Sequence, residues 1–263
     1  MSLPPNDELT SFFGDLCDEA AAMTLPLFRS KLGVINKLDA GFDPVTEADR
    51  EAERVIRELI ETRYPEHGII GEEFGRSRPD AALQWIIDPI DGTRAFISGI
   101  PVWGTLIGLY ENGVPVAGAM DQPFTRERYV SVGGEARLSV DRGAGEILAT
   151  KSTKNLKDAT LMTTSPHLFS EDWEQAYFKV EEEVKLFRYG CDCYSYCLLA
   201  AGQVDLVIES GLNVYDIAAL IPIVEAAGGL VTDWQGSDAS QGGAILACAN
   251  QDIHKKALAL LNG

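Results

Sequence analysis

Asn112-Gly113 lies between two apolar runs, Val102–Tyr110 and Val114–Met120, and this arrangement does most to limit the folds open to the chain. An Asn-Gly pair suits the two-residue turn joining antiparallel strands, because both turn residues must take positive φ. The first half therefore holds a hairpin within a largely antiparallel sheet. Short apolar runs at 68–71 and 83–87, and strand-like segments at 128–132, 136–140 and 146–149, extend it. Two helices are expected beside the sheet. From Asp7 to about Leu27, the residues Leu9, Phe12, Phe13, Leu16, Ala20 and Met23 recur at helical spacing. A second stripe, Ala52, Val55, Ile56, Leu59 and Ile60, starts at Thr46-Glu47-Ala48-Asp49, where Thr46 can cap, and stops at Tyr64-Pro65.

Beyond about Thr150 the rhythm changes. Strands are expected at 159–163, 184–188, 204–208, 229–232 and 244–248, with helices at 171–179, 192–201, 214–227 and 252–261. Such alternation predicts an α/β unit. Two subdomains follow, α+β over residues 1–150 and α/β over 151–263, closely packed because no linker or low-complexity tract separates them.

The 22 basic and 40 acidic residues give a net charge of −18, which repels nucleic-acid phosphates and offers them no basic footprint. A small phosphate ester would be repelled too, unless bound divalent cations reverse the local field. No apolar run approaches the roughly 18–20 residues that span a bilayer. The N-terminus does not read as a signal peptide, so a cytoplasmic setting without membrane contact is expected. Five cysteines and three histidines, at spacings that supply no four-ligand set, argue for reduced thiols rather than zinc.

The chemistry concentrates in Trp85-Ile86-Ile87-Asp88-Pro89-Ile90-Asp91-Gly92-Thr93. An apolar strand delivers Asp88 at its end, and Pro89 is expected to stop the ladder there. Asp91 follows close enough for both carboxylates to face one point. Gly92 and Thr93 open a helix whose N–H groups can seat a phosphate, and oxygen ligands beside a phosphate are what magnesium prefers. Taken alone, Asp91 or Thr93 as a helix cap explains an Asp-Gly-Thr equally well. Further acids follow similar structural breaks: Glu72-Glu73 after a short strand, Asp216 where a capping-box acid sits, and Asp49 near a helix start. Other phosphatase chemistries fail on spacing. The residues six beyond the five cysteines are Met23, Cys197, Leu199, Gln203 and His254, none an arginine, and Asp88 and Asp91 stand three apart rather than two. What remains is direct attack by water activated on metal ions.

Together, Asp43-Pro44-Val45-Thr46-Glu47-Ala48-Asp49, Gly71-Glu72-Glu73, Asp88-Pro89-Ile90-Asp91-Gly92-Thr93, and Asp216-Ile217-Ala218-Ala219 ahead of Glu225-Ala226-Ala227-Gly228-Gly229 resemble the inositol monophosphatase family, from about Lys37 to Gly229. Finer features are similar to its histidinol-phosphate phosphatase branch: Thr93–Gly99, Gly104–Ile107, Gly190-Cys191-Asp192-Cys193-Tyr194 and Glu209–Asp216, with Tyr215 where inositol-type members usually have Trp. The resemblance implies a layered α-β-α-β-α sandwich of the inositol monophosphatase and fructose bisphosphatase type. It implies that Glu72, Asp88 and the Ile90 carbonyl hold one Mg2+, and that Asp88, Asp91 and Asp216 hold a second. Glu72 would help a weakly held third. Thr93, paired with Asp49, would orient and deprotonate the attacking water, and the Gly92 and Thr93 amides would bind phosphate. Asp192 and Glu209 would meet the leaving-group alcohol, with Lys37 a further phosphate-side candidate. A homodimer acting on a small phosphorylated metabolite is expected, with L-histidinol phosphate the first substrate. The alternatives are inositol monophosphatase or broad sugar-phosphate or nucleotide phosphatase activity. A non-catalytic metal- or phosphate-binding relative would need a broken ligand set, which this chain lacks.

Overall fold

The two apolar stripes near the N-terminus form α1 (Asn6–Thr24) and, after a ribbon of β1 (Val34–Asn36) and β2 (Pro44–Thr46), α2 (Glu47–Arg63). The computed structural model describes residues 2–30, 34–36 and 44–263; Lys37, Asp43 and the Thr46 side chain lie outside that description. Eight strands follow: β3 (Gly68–Gly71), β4 (Gly75–Ser77), β5 (Leu83–Asp91), β6 (Gly104–Glu111), β7 (Val114–Gln122), β8 (Glu127–Val132), β9 (Glu135–Val140) and β10 (Glu146–Ile147). They form one sheet in the order β10-β9-β8-β7-β6-β5-β3-β4, antiparallel except where β3 meets β5. Asn112 and Gly113 make the β6–β7 turn with φ of 51° and 84°, as an Asn-Gly hairpin requires.

Helix α3 (Thr93–Ser98) leaves β5, and α4 (Glu171–Glu181), α5 (Tyr194–Ala200), α6 (Val214–Ile217), α7 (Leu220–Ala226) and α8 (Gln251–Leu261) complete the α-helices of the described residues. The second sheet orders its strands β12-β11-β13-β15-β14: β11 (Thr160–Thr163), β12 (Leu186–Tyr189), β13 (Leu206–Leu212), β14 (Leu230–Asp233) and β15 (Gly243–Cys248).

Strand alternation sorts the side chains into layers. Trp85, Ile87, Ile107 and Leu109 point from the large sheet to Phe13, Leu16, Ile56 and Ile60 of α1 and α2. Leu106 and Met120 point the other way, toward α5 and α7, whose far side meets Val207, Ile245 and Ala247 of the small sheet. Leu206, Ile208 and Leu246 face outward to Tyr177 and Val180 of α4 and Ile253 and Ala257 of α8. The result is an α-β-α-β-α sandwich.

Two expectations need correction. Pro89 does not end its strand: β5 runs to Asp91, with a bulge between Asp88 and Asp91 where the proline's missing N–H costs no ladder bond. The helix expected at 214–227 is two helices, α6 and α7. Pro222 has no N–H for the Ala218 carbonyl four residues back, so the helical ladder breaks there. The break lets Ala218 and Ala219 lie against the large sheet at Gly108 and Gly118. A Cβ on Gly118 would stand 2.2 Å from the Ala219 carbonyl oxygen. This close approach carries Asp216, just before the break, to the end of β5.

Candidate active site

Asp88, Asp91 and Asp216 each offer a carboxylate oxygen, all within 4.8 Å of one another. Asp88 is 2% exposed, and its Oδ1 accepts the Ile90 N–H at 3.1 Å across the bulge. The bulge turns Asp91 to the same side, where its Oδ2 accepts the Cys193 N–H at 2.7 Å from the start of α5. Asp216 is the acid of a capping box: its Oδ2 accepts the Asn213 N–H at 2.6 Å. Two carboxylates thus flank the bulge of β5 and one comes from a helix start, each fixed by a backbone amide.

Burial dominates their electrostatics. It pushes the Asp88 carboxyl well above its ordinary range, and the charges of Glu72, Asp91, Asp216 and Asp49 add to the effect. Asp91 is raised by burial and then by Asp192 and Asp216, against the lowering Cys193 hydrogen bond. Asp216 is pushed up to about 7, chiefly by burial, with the Asn213 N–H pulling the other way. Three crowded, buried acids repel one another and resist ionising together, and their donors are hard oxygens. That donor set fits a hard divalent cation.

A cleft of about 350 Å3 opens over the cluster, lined by Glu72, Asp91, Gly92, Thr93, Asp192, Tyr196, Glu209 and Asp216 among others. Glu72 follows β3, and its N–H bonds to the Ile87 carbonyl at 3.1 Å, next to Asp88. Asp49, in the first turn of α2, is 2% exposed. Gly92 takes φ of 81° and precedes α3; a Cβ there would meet Asp192 at 3.2 Å, so glycine is required for the close approach. The Thr93 hydroxyl donates to the Ile90 carbonyl at 3.1 Å.

Across the cleft, Glu209 is 4% exposed. Its Oε1 accepts the Thr164 N–H at 2.6 Å and the Thr164 hydroxyl at 2.9 Å, while burial pushes its carboxyl up to about 8. Asp192 adopts a left-handed φ of 42°, and burial raises its carboxyl to about 6 against the lowering charge of Arg94. Every expected site residue within the described residues except Asp49, Asp88 and Ile90 lines this one cleft; Ile90 meets it through Thr93, Asp88 through Asp91 and Asp216, and the charge of Asp49 reaches Asp88.

Sequence reasoning missed the Cys193 amide, the Thr163–Thr164 support of Glu209, and Tyr196, a buried phenol whose hydroxyl has no hydrogen-bond partner among the described residues. Backbone donors leave no sequence signal. Tyr196, on the helix stripe that begins at Cys193, was indistinguishable from core. A larger groove of about 1140 Å3 runs along α1 and the β8–β9 hairpin, but its arginines are paired: Arg126 with Asp141, Arg128 with Asp18 and Asp121, Arg137 with Glu135, and Arg142 with Asp18. It brings no comparable set of unbalanced charges together. The five cysteines are free thiols, and no helix among the described residues is long and apolar enough to cross a membrane.

Comparison with known proteins agrees with this geometry. Residues 6–262 match the inositol monophosphatase family. The bifunctional phosphatase IMPL2, chloroplastic, of Arabidopsis thaliana is 44% identical over 96% of this chain and 74% of its own length. Histidinol-phosphatase of Mycobacterium tuberculosis is 36% identical over 94% of this chain and 95% of its own. The solved structure of an inositol monophosphatase from Zymomonas mobilis superimposes with a TM-score of 0.88 at 40% identity, covering 99% of this chain and 100% of that one. Members of this family are metal-dependent. With the family match running almost from end to end, the chain belongs to the inositol monophosphatase family and is a phosphoric monoester hydrolase.

Proposed function

We propose that this hydrolase uses Mg2+ to cleave the phosphate monoester of a small cationic alcohol, with L-histidinol phosphate as substrate. The observation that carries the reading is the acidity of both walls of one cleft: the Asp88–Asp91–Asp216 cluster on one side, Glu209 and Asp192 on the other. The first wall suits cations beside the phosphate. The second suits a leaving group that is itself positive, because a buried carboxylate gains most from a partner of opposite charge. Relatives named histidinol-phosphatase support the same substrate.

In this reading Glu72, Asp88 and the Ile90 carbonyl hold one ion, and Asp88, Asp91 and Asp216 hold a second, with a third held weakly near Glu72. Bound there, Mg2+ neutralises phosphate charge, lowers the pKa of water and stabilises the departing alkoxide. Thr93 orients the attacking water and accepts its proton while its own hydroxyl proton passes to the Asp49 carboxylate. The Gly92 and Thr93 amides bind phosphate oxygens. Glu209, held by Thr164, and Asp192 orient the amino alcohol by its ammonium or imidazole, so that the ester oxygen leaves in line. Residues 1–150 contribute all these groups except Thr164, Asp192, Glu209 and Asp216, which come from 151–263. A homodimer in the cytoplasm completes the proposal.

The test is the ratio of kcat/KM for L-histidinol phosphate and inositol 1-phosphate under identical Mg2+. A preference for the histidinol ester of about tenfold or more is expected, the scale of one charged contact. Equal or better turnover of inositol 1-phosphate would favour the alternative of an inositol or broad sugar-phosphate phosphatase.

A further inference from the structure

Glu53 has no exposed surface, yet it stands on the buried stripe of α2, one turn beyond Asp49. Its carboxylate reaches beneath the turn after β3. There Oε2 accepts the Glu73 N–H at 2.6 Å, and Oε1 accepts the Phe74 N–H at 3.2 Å. Arg57, a further turn along, donates its Nε to Glu53 Oε1 at 2.6 Å and an Nη2 proton to the Gly75 carbonyl. On the other side of the turn, the Glu72 N–H is held by the Ile87 carbonyl at 3.1 Å. Glu72 is therefore gripped from both flanks, by β5 before it and by Glu53 after it.

Gly71 makes the grip possible. A Cβ at that position would lie 1.9 Å from Glu53 Oε1, inside the space the carboxylate occupies. An apolar residue would fill a core position on α2 at far lower desolvation cost, so packing does not account for a glutamate here. The bonds it makes do: two come from the turn that carries Glu72, and the third comes from Arg57, which itself donates to Gly75 at the end of that turn.

We propose that Glu53 is a positioning residue for the metal centre. It fixes the Glu72 backbone so that the Glu72 carboxylate meets a cation jointly with Asp88. This rests on the assignment of Glu72 as a metal ligand. Glutamine cannot replace it. Three donors (the Glu73 and Phe74 amides and Arg57 Nε) converge on two carboxylate oxygens, and an amide nitrogen in either place would face a donor. Partners that orient metal ligands typically contribute about 10–100-fold to metal affinity.

Calorimetric titration of the metal-free protein with Mn2+ tests this, together with the Mg2+ concentration giving half-maximal hydrolysis. Glu72→Gln, Glu53→Gln and Ile60→Val are compared, the last as a core truncation on the same helix that leaves the turn untouched. The proposal predicts that Glu72→Gln and Glu53→Gln each weaken Mn2+ binding about tenfold or more and shift the Mg2+ requirement in step, while Ile60→Val does neither. Saturating Mg2+ should restore kcat in Glu53→Gln. If Glu72→Gln binds Mn2+ normally, the ligand assignment fails. If Glu72→Gln loses affinity but Glu53→Gln loses no more than Ile60→Val, the positioning role is overturned. Should Glu53→Gln not fold, Arg57→Met, which removes one anchor at the rim, should weaken binding severalfold; unchanged affinity there overturns the role equally.

Discussion

Asp88→Asn should stabilise the metal-free protein while abolishing its activity. The three clustered carboxylates lie within 4.8 Å. At that separation and an effective dielectric constant of about 20, each fully ionised pair repels by about 3.5 kcal/mol. The cluster avoids much of this by retaining protons, so removing one charge should return about 1–3 kcal/mol at pH 8. Asparagine keeps an oxygen for the Ile90 N–H, and its amide can donate to a neighbouring carboxylate, so no new polar group is orphaned. For a chain of this size the gain corresponds to a rise in Tm of about 2–6 °C.

The effect has a definite pH window. Burial pushes Asp216 from its ordinary 3.8 up to about 7, so the folded state holds protons that the unfolded chain has lost across that range. Stability without metal therefore falls as pH rises from about 4 to about 7, because the folded state binds more protons than the unfolded one. Below about pH 4 both states are protonated at these groups, and the advantage of Asp88→Asn should vanish. Thermal melts in chelator at pH 4.5 and pH 8, with phosphate release measured in saturating Mg2+, check both halves. Activity should drop at least about a hundredfold, the scale of losing a key electrostatic element. A variant that melts lower than the parent at pH 8 in chelator, or one that remains active, refutes the account of the cluster as mutually repelling buried carboxylates.

Three further outcomes are expected. Mg2+ binding at pH 6.5 should release roughly one proton or more, since a cation needs Asp216 and its neighbours ionised; the apparent binding enthalpy will then differ between buffers of different ionisation enthalpy. Glu209→Gln should raise KM for L-histidinol phosphate about 10–100-fold and alter turnover of a neutral inositol ester far less, a split that a general loss of fold would not produce. Gly118→Ala should cost about 3 kcal/mol or more in chemical denaturation, because its Cβ would meet backbone that has no room to retreat.

The sequence was legible where local chemistry and periodicity agreed. Asn112-Gly113 located the hairpin, and the apolar stripes located α1 and α2 to within a few residues. Expectation failed where a proline acted against its surroundings. Pro89 sits in a bulge that the β5–β6 ladder spans, and Pro222 divides a stripe whose periodicity looks continuous. β4, three residues with little apolar character, gave no periodic signal. At the site, the acids could be named because each stands at a break in local structure: Asp88 and Asp91 beside Pro89, Glu72 after β3, and Asp49 and Asp216 at helix starts. Their convergence could not be derived from spacing, since Asp88 and Asp216 of one cluster stand 128 positions apart in the chain. Residues that act through backbone amides, such as Cys193, or from a core stripe, such as Glu53, were hidden for the same reason: their role depends on which element packs against them.

The central claim is that the acids around Asp88 hold the cations that drive ester cleavage. Anomalous diffraction from crystals soaked in Mn2+ tests it most directly. The account predicts density in contact with the Asp88 carboxylate, shared with Glu72 on one side and with Asp91 and Asp216 on the other, and its loss in Asp88→Asn. Crystals that bind Mn2+ elsewhere and leave this cleft without density would contradict it.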